Sequence, residues 1–232
     1  MEAAARWIDH GGVRRVLDVG AGTGTVSFRW ARRYPEAEVV ALDANPAMTT
    51  QIASRTTDEH IKTMSRPLQD IGDDVGSVDL AWAASVFHEL DDPAEAFSAM
   101  RRVIRPDGVL AIMEMDTPPH VLPVEHGGLE LRLQELAHAD APGSDWTEAL
   151  SAASFELLEK RTLTSDHELP ADGVGGAYAR AELRRLYHQS GDGLGAEQQH
   201  TLSRILHPDA AGQVLSSVHI RGTRSLWIAR RL

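Results

Sequence analysis

The chain contains no cysteine. That excludes disulfide bridges, thiolate-held zinc, iron–sulfur clusters and a cysteine nucleophile. Long apolar runs are missing too, and none approaches the ~20 residues that a membrane-spanning helix requires. Cations are outnumbered. The 23 Lys and Arg stand against 34 Asp and Glu, a formal net charge of −11, which disfavours tracking a nucleic-acid backbone. No internal repeat or low-complexity stretch interrupts the 232 residues. The opening residues, Met1 to Arg6, lack a basic stretch followed by an apolar core. No secretory leader is therefore expected, and the cytoplasm is the expected compartment.

The composition that remains is that of a globular chain. Apolar residues make up 42%, and 19 glycines bring the fraction toward half, enough to bury a core. Up to residue 115, short apolar runs alternate with helical spacing. Runs at Arg14–Val19, Glu38–Leu42, Ile61–Met64, Val78–Ala83 and Val109–Glu114 read as strands. Thr23–Arg33, Pro46–Arg55 and Pro93–Arg105 read as helices, the last with Ala96, Phe97, Met100, Val103 and Ile104 on one side. Such alternation predicts a parallel sheet with crossover helices.

The second half changes character after Thr117-Pro118-Pro119. Leu129–Ala139 reads as a helix, and Asp145 to Glu148 as a capping-box-like helix start. Glu156–Leu163 reads as a strand. Helices over 176–188 and 196–206 are separated by the Gly191-Asp192-Gly193 turn, and Val214–His219 and Ser225–Ala229 are the last β-like runs. The stretches 116–145 and 166–212 exceed what joining strands requires. They are expected to form a substrate cap within a single domain. Trp146, Tyr178 and Tyr187 either wall its pocket or pack it onto the sheet.

The most informative segment is Asp18-Val19-Gly20-Ala21-Gly22-Thr23-Gly24, three alternate glycines between a strand and a helix. Glycine lets the backbone turn sharply and approach a ligand closely. The helix that follows directs free N–H groups at the loop. Asp43 ends the next strand, 19 residues after Gly24, where a carboxylate can accept hydrogen bonds from ribose hydroxyls. A dinucleotide fingerprint is G-x-G-x-x-G. Here the third glycine comes one residue early, and Asp18 would repel a pyrophosphate. An acid suits the ammonium and sulfonium of a methionine moiety.

On these residues the chain resembles the class I S-adenosylmethionine-dependent methyltransferases. Asp18–Gly24 is similar to the family's first motif and Asp43 to its ribose acid. Val78–Leu90 resembles the segment around its fourth strand, Arg101–Leu110 its R-x-L-K-P-G-G segment, and Asp145–Phe155 its approach to strand six. The resemblance covers residues 12–165, with a final strand near 225–230. It implies an α/β, Rossmann-like, doubly wound seven-stranded sheet in the order 3-2-1-4-5-7-6, strand seven antiparallel, with helical cap insertions.

The resemblance also implies a site. Gly20, Ala21, Gly22 and Gly24, with Asp18, would hold the methionine part of S-adenosylmethionine. Asp43, with Ala44 beside it, would hold the ribose, and Ala84 and Ser85 would lie below the methionine carboxylate and methyl region. The family's acid for the adenine amino group falls near Pro67-Leu68, which cannot serve. Asp70, next to Ile71, is the nearest replacement. Pro106-Asp107-Gly108 stands where the family has Pro-Gly-Gly, and one glycine suffices if only one position needs a positive φ.

Methyl transfer is an in-line displacement for which the protein aligns the nucleophile, excludes water and in some cases takes a proton. His88, after strand four, is the leading candidate base, since an imidazole titrates near neutrality. Glu114 and Asp116, at the end of strand five, are candidates for binding or deprotonating the acceptor. Eight of the eleven histidines lie after residue 115, none in a paired metal-ligand spacing, so no metal is expected. Arg221, Arg224, Arg230 and Arg231 make the C-terminal end basic, which suits a solvated strand edge, an anionic substrate or a homodimer contact.

The function read from the sequence is methyl transfer to a small-molecule acceptor, with no nucleic acid or membrane partner. The alternatives are an enzyme that keeps S-adenosylmethionine but catalyses another reaction, and a non-catalytic binding protein on the same fold. A nicotinamide-dependent oxidoreductase is disfavoured by the glycine spacing.

Overall fold

The computed structural model describes residues 1–8, 11–137, 145–190, 193–207 and 215–232. Among them, strands β1 (Arg15–Val19), β2 (Glu38–Asp43), β3 (Ile61–Ser65), β4 (Val78–Ala84), β5 (Ile104–Met115), β6 (Phe155–Pro170) and β7 (Ser217–Arg231) form one sheet. Its order is β3-β2-β1-β4-β5-β7-β6, with β7 antiparallel. β1 lies parallel between β2 and β4, with Leu17 opposite both Val40 and Ala81. The helices are α1 (Glu2–Ala5), α2 (Thr25–Arg33), α3 (Pro46–Arg55), α4 (Pro93–Val103), α5 (Gly127–Leu136), α6 (Thr147–Ala152), α7 (Val174–Ser190) and α8 (Ala196–Leu206). None is long and apolar enough to cross a membrane.

The central strands are largely apolar and buried because both faces of the sheet are covered. In β2, Val39 and Ala41 join one core cluster with Trp30 of α2, while Val40 and Leu42 join the other with Phe97 of α4. Helix starts follow the local sequence. The Asn45 side chain accepts from the Ala47 N–H at 3.0 Å, and that of Asp92 accepts from Ala94 and Glu95 at 2.9 and 3.1 Å. Each is followed by proline at the first helical position.

β5 begins directly after α4 and runs through Pro106-Asp107-Gly108, earlier than its apolar run indicates. A shift between the Val78–Ile104 and Leu80–Val109 pairs absorbs the extra residues as a bulge does. The residue with positive φ there is Asp107, at 61°. Gly108 is needed for space instead, since an added Cβ would lie 2.6 Å from Ile104 Cγ2 and 2.8 Å from the Arg105 carbonyl. The last two β-like runs are parts of the single strand β7, and Val214 lies outside the described residues. So do His138 and the Gly191-Asp192 half of the expected turn.

The chain divides into two compact units: Met1–Glu114 with Ser144–Arg161 and Ser225–Leu232, and Met115–Gly143 with Thr162–Arg224. The segments expected as a cap lie mostly in the second. That unit has its own core, in which Leu129 and Leu133 of α5 cluster with Leu183 and Leu186 of α7 and Leu202 and Ile205 of α8. Trp146 belongs to the first unit. Its ring stands 5.7 Å from that of Phe87 and 6.0 Å from that of Phe97, so it is core rather than pocket wall.

Candidate active site

β1 ends in a left-handed turn, with φ of 64°, 53° and 82° at Gly20, Gly22 and Gly24. A Cβ on Gly20 would fall 2.2 Å from Val86 Cγ2, so the turn after β1 packs against the residue two past β4, and only glycine fits there. The turn is tied to β2. Ala21 N–H donates to the Leu42 carbonyl at 2.9 Å, and Gly22 N–H donates to Asp43 Oδ2 at 2.8 Å. Asp43 Oδ1 accepts from Asn45 N–H at 2.8 Å. Both oxygens are therefore oriented, and each keeps a second lone pair for a ligand.

Beside this turn lies a cavity of 480 Å³, within the roughly 300–1,000 Å³ of small-molecule sites. Of the residues expected at the cofactor, Gly20, Asp43, Ala44 and Ser85 line it. Ser85 adopts a φ of 56°, and its N–H donates to the Met113 carbonyl at 2.8 Å. Backbone strain of this kind collects at functional sites. Ala21, Gly22, Gly24 and Ala84 shape the turn and the strand end without forming the wall.

Three expectations change. Ile71 is 2% exposed and belongs to the core beneath. Asp70 is exposed at the end of the 3₁₀ turn Leu68–Asp70 and stays outside the cavity, whose wall there is Pro67, Leu68 and Gln69. Gln69, one residue past the position indicated by spacing, is the polar side chain that sequence reading missed. Asp18 is 2% exposed and turned away from the cavity. Its Oδ2 accepts the Ser27 hydroxyl at 2.5 Å, and its carboxyl also bonds the Ser27 backbone. Gly24, the N-cap of α2, has no side chain to offer, so Asp18 reaches across from β1 to satisfy the first turn of that helix.

His88 and Glu114 meet. Glu114 is 3% exposed. Its Oε1 accepts from the Val86 and Phe87 N–H groups at 2.9 and 2.8 Å, and its Oε2 lies 2.6 Å from His88 Nδ1. Glu114 is therefore a buried anchor for the turn after β4, not a carboxylate presented to an acceptor. An ionised carboxylate accepts only, so it fixes the proton on Nδ1 and leaves the Nε2 lone pair available. Nε2 is 3.8 Å from Glu89 Oε1. His88 sits between Val86 and Glu89, both in the cavity wall, without lining it. Asp116 falls in the second unit, where its N–H donates to the Thr223 carbonyl at 3.0 Å.

Residues 17–112 match the family described as methyltransferase domain. The malonyl-[acyl-carrier protein] O-methyltransferase of Geobacter sulfurreducens is 36% identical over 107 residues, 42% of this chain and 37% of that protein. Further curated relatives are matched over about half of their length. Among solved structures, a proposed methyltransferase from Bacillus halodurans C-125 superposes with a TM-score of 0.62 at 18% identity, covering 100% of this chain and 96% of that one. The [4+2]-cyclase SpnF superposes with a TM-score of 0.55 at 18% identity, covering 99% and 78%. Residues 17–112 are thus similar to methyltransferase domains, and the superpositions show that the chain shares the fold of those structures.

Proposed function

We propose that this chain transfers a methyl group from S-adenosylmethionine to a small-molecule acceptor. The observation that carries the reading is the Asp43 carboxylate, oriented by Gly22 and Asn45 at the wall of one cavity beside a glycine turn. The donor set fits the cofactor: Asp43 for the ribose hydroxyls, Gln69 as an amide acceptor for the adenine amino group, and the turn at Gly20 for the methionine end. The bound cofactor supplies an activated methyl on a sulfonium. The chain's own part is to orient, to exclude water and to move a proton. His88, with Nδ1 donating to Glu114, is the base for an acceptor whose attacked atom carries a proton. The second unit is proposed to select the acceptor.

Asp43→Ala removes charge-assisted hydrogen bonds to the ribose worth ~1.5–3 kcal/mol, so affinity for S-adenosylmethionine is expected to fall roughly 10- to 150-fold. Calorimetric titration measures it, and unchanged affinity in a folded variant removes Asp43 from the site.

The activity itself is tested by incubating the protein with the cofactor and a panel of phenols, amines and enolisable carbonyl compounds. Methyl transfer yields S-adenosylhomocysteine in step with methylated product. Product without S-adenosylhomocysteine supports a non-methylating reaction on the same fold, as the cyclase likeness illustrates. With the acceptor found, His88→Ala is expected to bind cofactor normally and turn over at least ~100-fold more slowly. Normal turnover refutes the base assignment.

A further inference from the structure

The cavity wall carries five carboxylates, Asp43, Glu89, Asp91, Asp92 and Glu95, against a single guanidinium, that of Arg66. Arg66 is itself paired with Asp74 at 2.8 Å. Two of the acids are held in place by backbone N–H groups, Asp43 by Gly22 and Asn45 and Asp92 by Ala94 and Glu95. The wall is thus strongly negative around a space suited to one small ligand. Methyl transfer changes the charge of that ligand. As the acceptor–carbon bond forms, the S–CH₃ bond breaks and its electron pair returns to sulfur, so a sulfonium with one net positive charge becomes a neutral thioether.

We propose that the acids of this wall distinguish cofactor from by-product by charge, favouring S-adenosylmethionine over S-adenosylhomocysteine and so assisting release after each turnover. The inference rests on the assignment of this cavity to the cofactor. Glu89, 75% exposed at its side chain, shows that part of the wall faces water. There each unit charge acts through a high dielectric and is screened within ~10 Å at 0.1 M salt. The effect is therefore moderate, additive over several acids, and sensitive to ionic strength.

The test is titration with S-adenosylmethionine, S-adenosylhomocysteine and sinefungin, in which an amine-bearing carbon replaces the sulfonium, at 20 and 500 mM NaCl. The protein is used as it is and as the triple variant Glu89→Gln, Asp91→Asn, Glu95→Gln, which spares the two acids fixed by backbone. The ratio of S-adenosylhomocysteine to S-adenosylmethionine dissociation constants is expected to fall roughly fivefold in high salt and by a similar factor in the variant at low salt. Sinefungin is expected to follow the sulfonium compound, and the thioether to change less than about twofold. A ratio unmoved by salt in the unmodified protein overturns the proposal by itself, whether or not the variant folds. Binding of none of the three overturns the cofactor assignment and this inference with it.

Discussion

Glu114→Gln is expected to slow turnover roughly 10²–10⁴-fold while leaving the fold and the cofactor affinity close to those of the unmodified chain. Glutamine keeps the shape of the side chain, and its carbonyl oxygen can still accept from the Val86 and Phe87 N–H groups. The amide then presents an N–H to His88 Nδ1 where the carboxylate presented a lone pair. The imidazole responds by moving its proton to Nε2, and the proposed base loses the electron pair that role requires. A purely structural role for Glu114 predicts something different: retained turnover wherever the fold is retained. Imidazole ¹⁵N shifts report the tautomer directly, and an unchanged tautomer with unchanged turnover refutes the positioning role. Glu114→Ala separates the structural contribution. It strands the buried Phe87 N–H, at ~1–3 kcal/mol, together with the part-buried Val86 N–H, and a fall of at least that size in the urea unfolding free energy is expected.

Asp18 should make the protein less stable as pH rises toward neutrality. Burial is the main cause that pushes its carboxyl up to about 7. The Ser27 hydrogen bonds oppose that rise, and the nearby Asp43 charge adds to it. In the unfolded chain the same group titrates near ~3.9. Below that pH both states hold the proton. Between the two values the unfolded chain releases it while the folded chain keeps it, so stability falls. Above about 7 the whole penalty is present, on the order of 4 kcal/mol. Asp18→Asn removes this titration and still offers an oxygen to the Ser27 hydroxyl. The two proteins are expected to have similar unfolding free energies at pH 4 and to diverge in favour of the variant by pH 8. Parallel urea curves across that range would place Asp18 in a wetter setting than its 2% exposure indicates.

The parts of the site legible in the sequence are those made by backbone conformation and by strand ends. The turn Gly20–Gly24, the acid closing β2 and the helix starts at Pro46 and Pro93 are local, and the glycines and prolines among them are dictated by φ. The strand order followed from motif resemblance rather than from periodicity, because long-range pairing leaves no local mark. What was hidden depends on partners distant in sequence. Asp18 looked like a ligand residue because nothing in its own motif shows the Ser27 hydroxyl on the next helix. Glu114 looked like a rim acid for the same reason, its three partners lying 26 to 28 residues earlier. Asp70 and Gln69 differ by one step in a 3₁₀ turn, finer than spacing can resolve. β7 read as two runs because its first half is only partly buried and so carries no clean alternation.

The division of the chain has a practical consequence for redesign. The second unit is made of two stretches, Met115–Gly143 and Thr162–Arg224, and the first of its boundaries falls immediately after Glu114. A transplant of both stretches from a relative, spliced at those four points, leaves the glycine turn, Asp43, His88 and the carboxylate behind it untouched. Exchanging only one stretch would divide the leucine core shared by α5, α7 and α8. On the role proposed for the second unit, acceptor preference is a trait to be moved as a pair of cassettes.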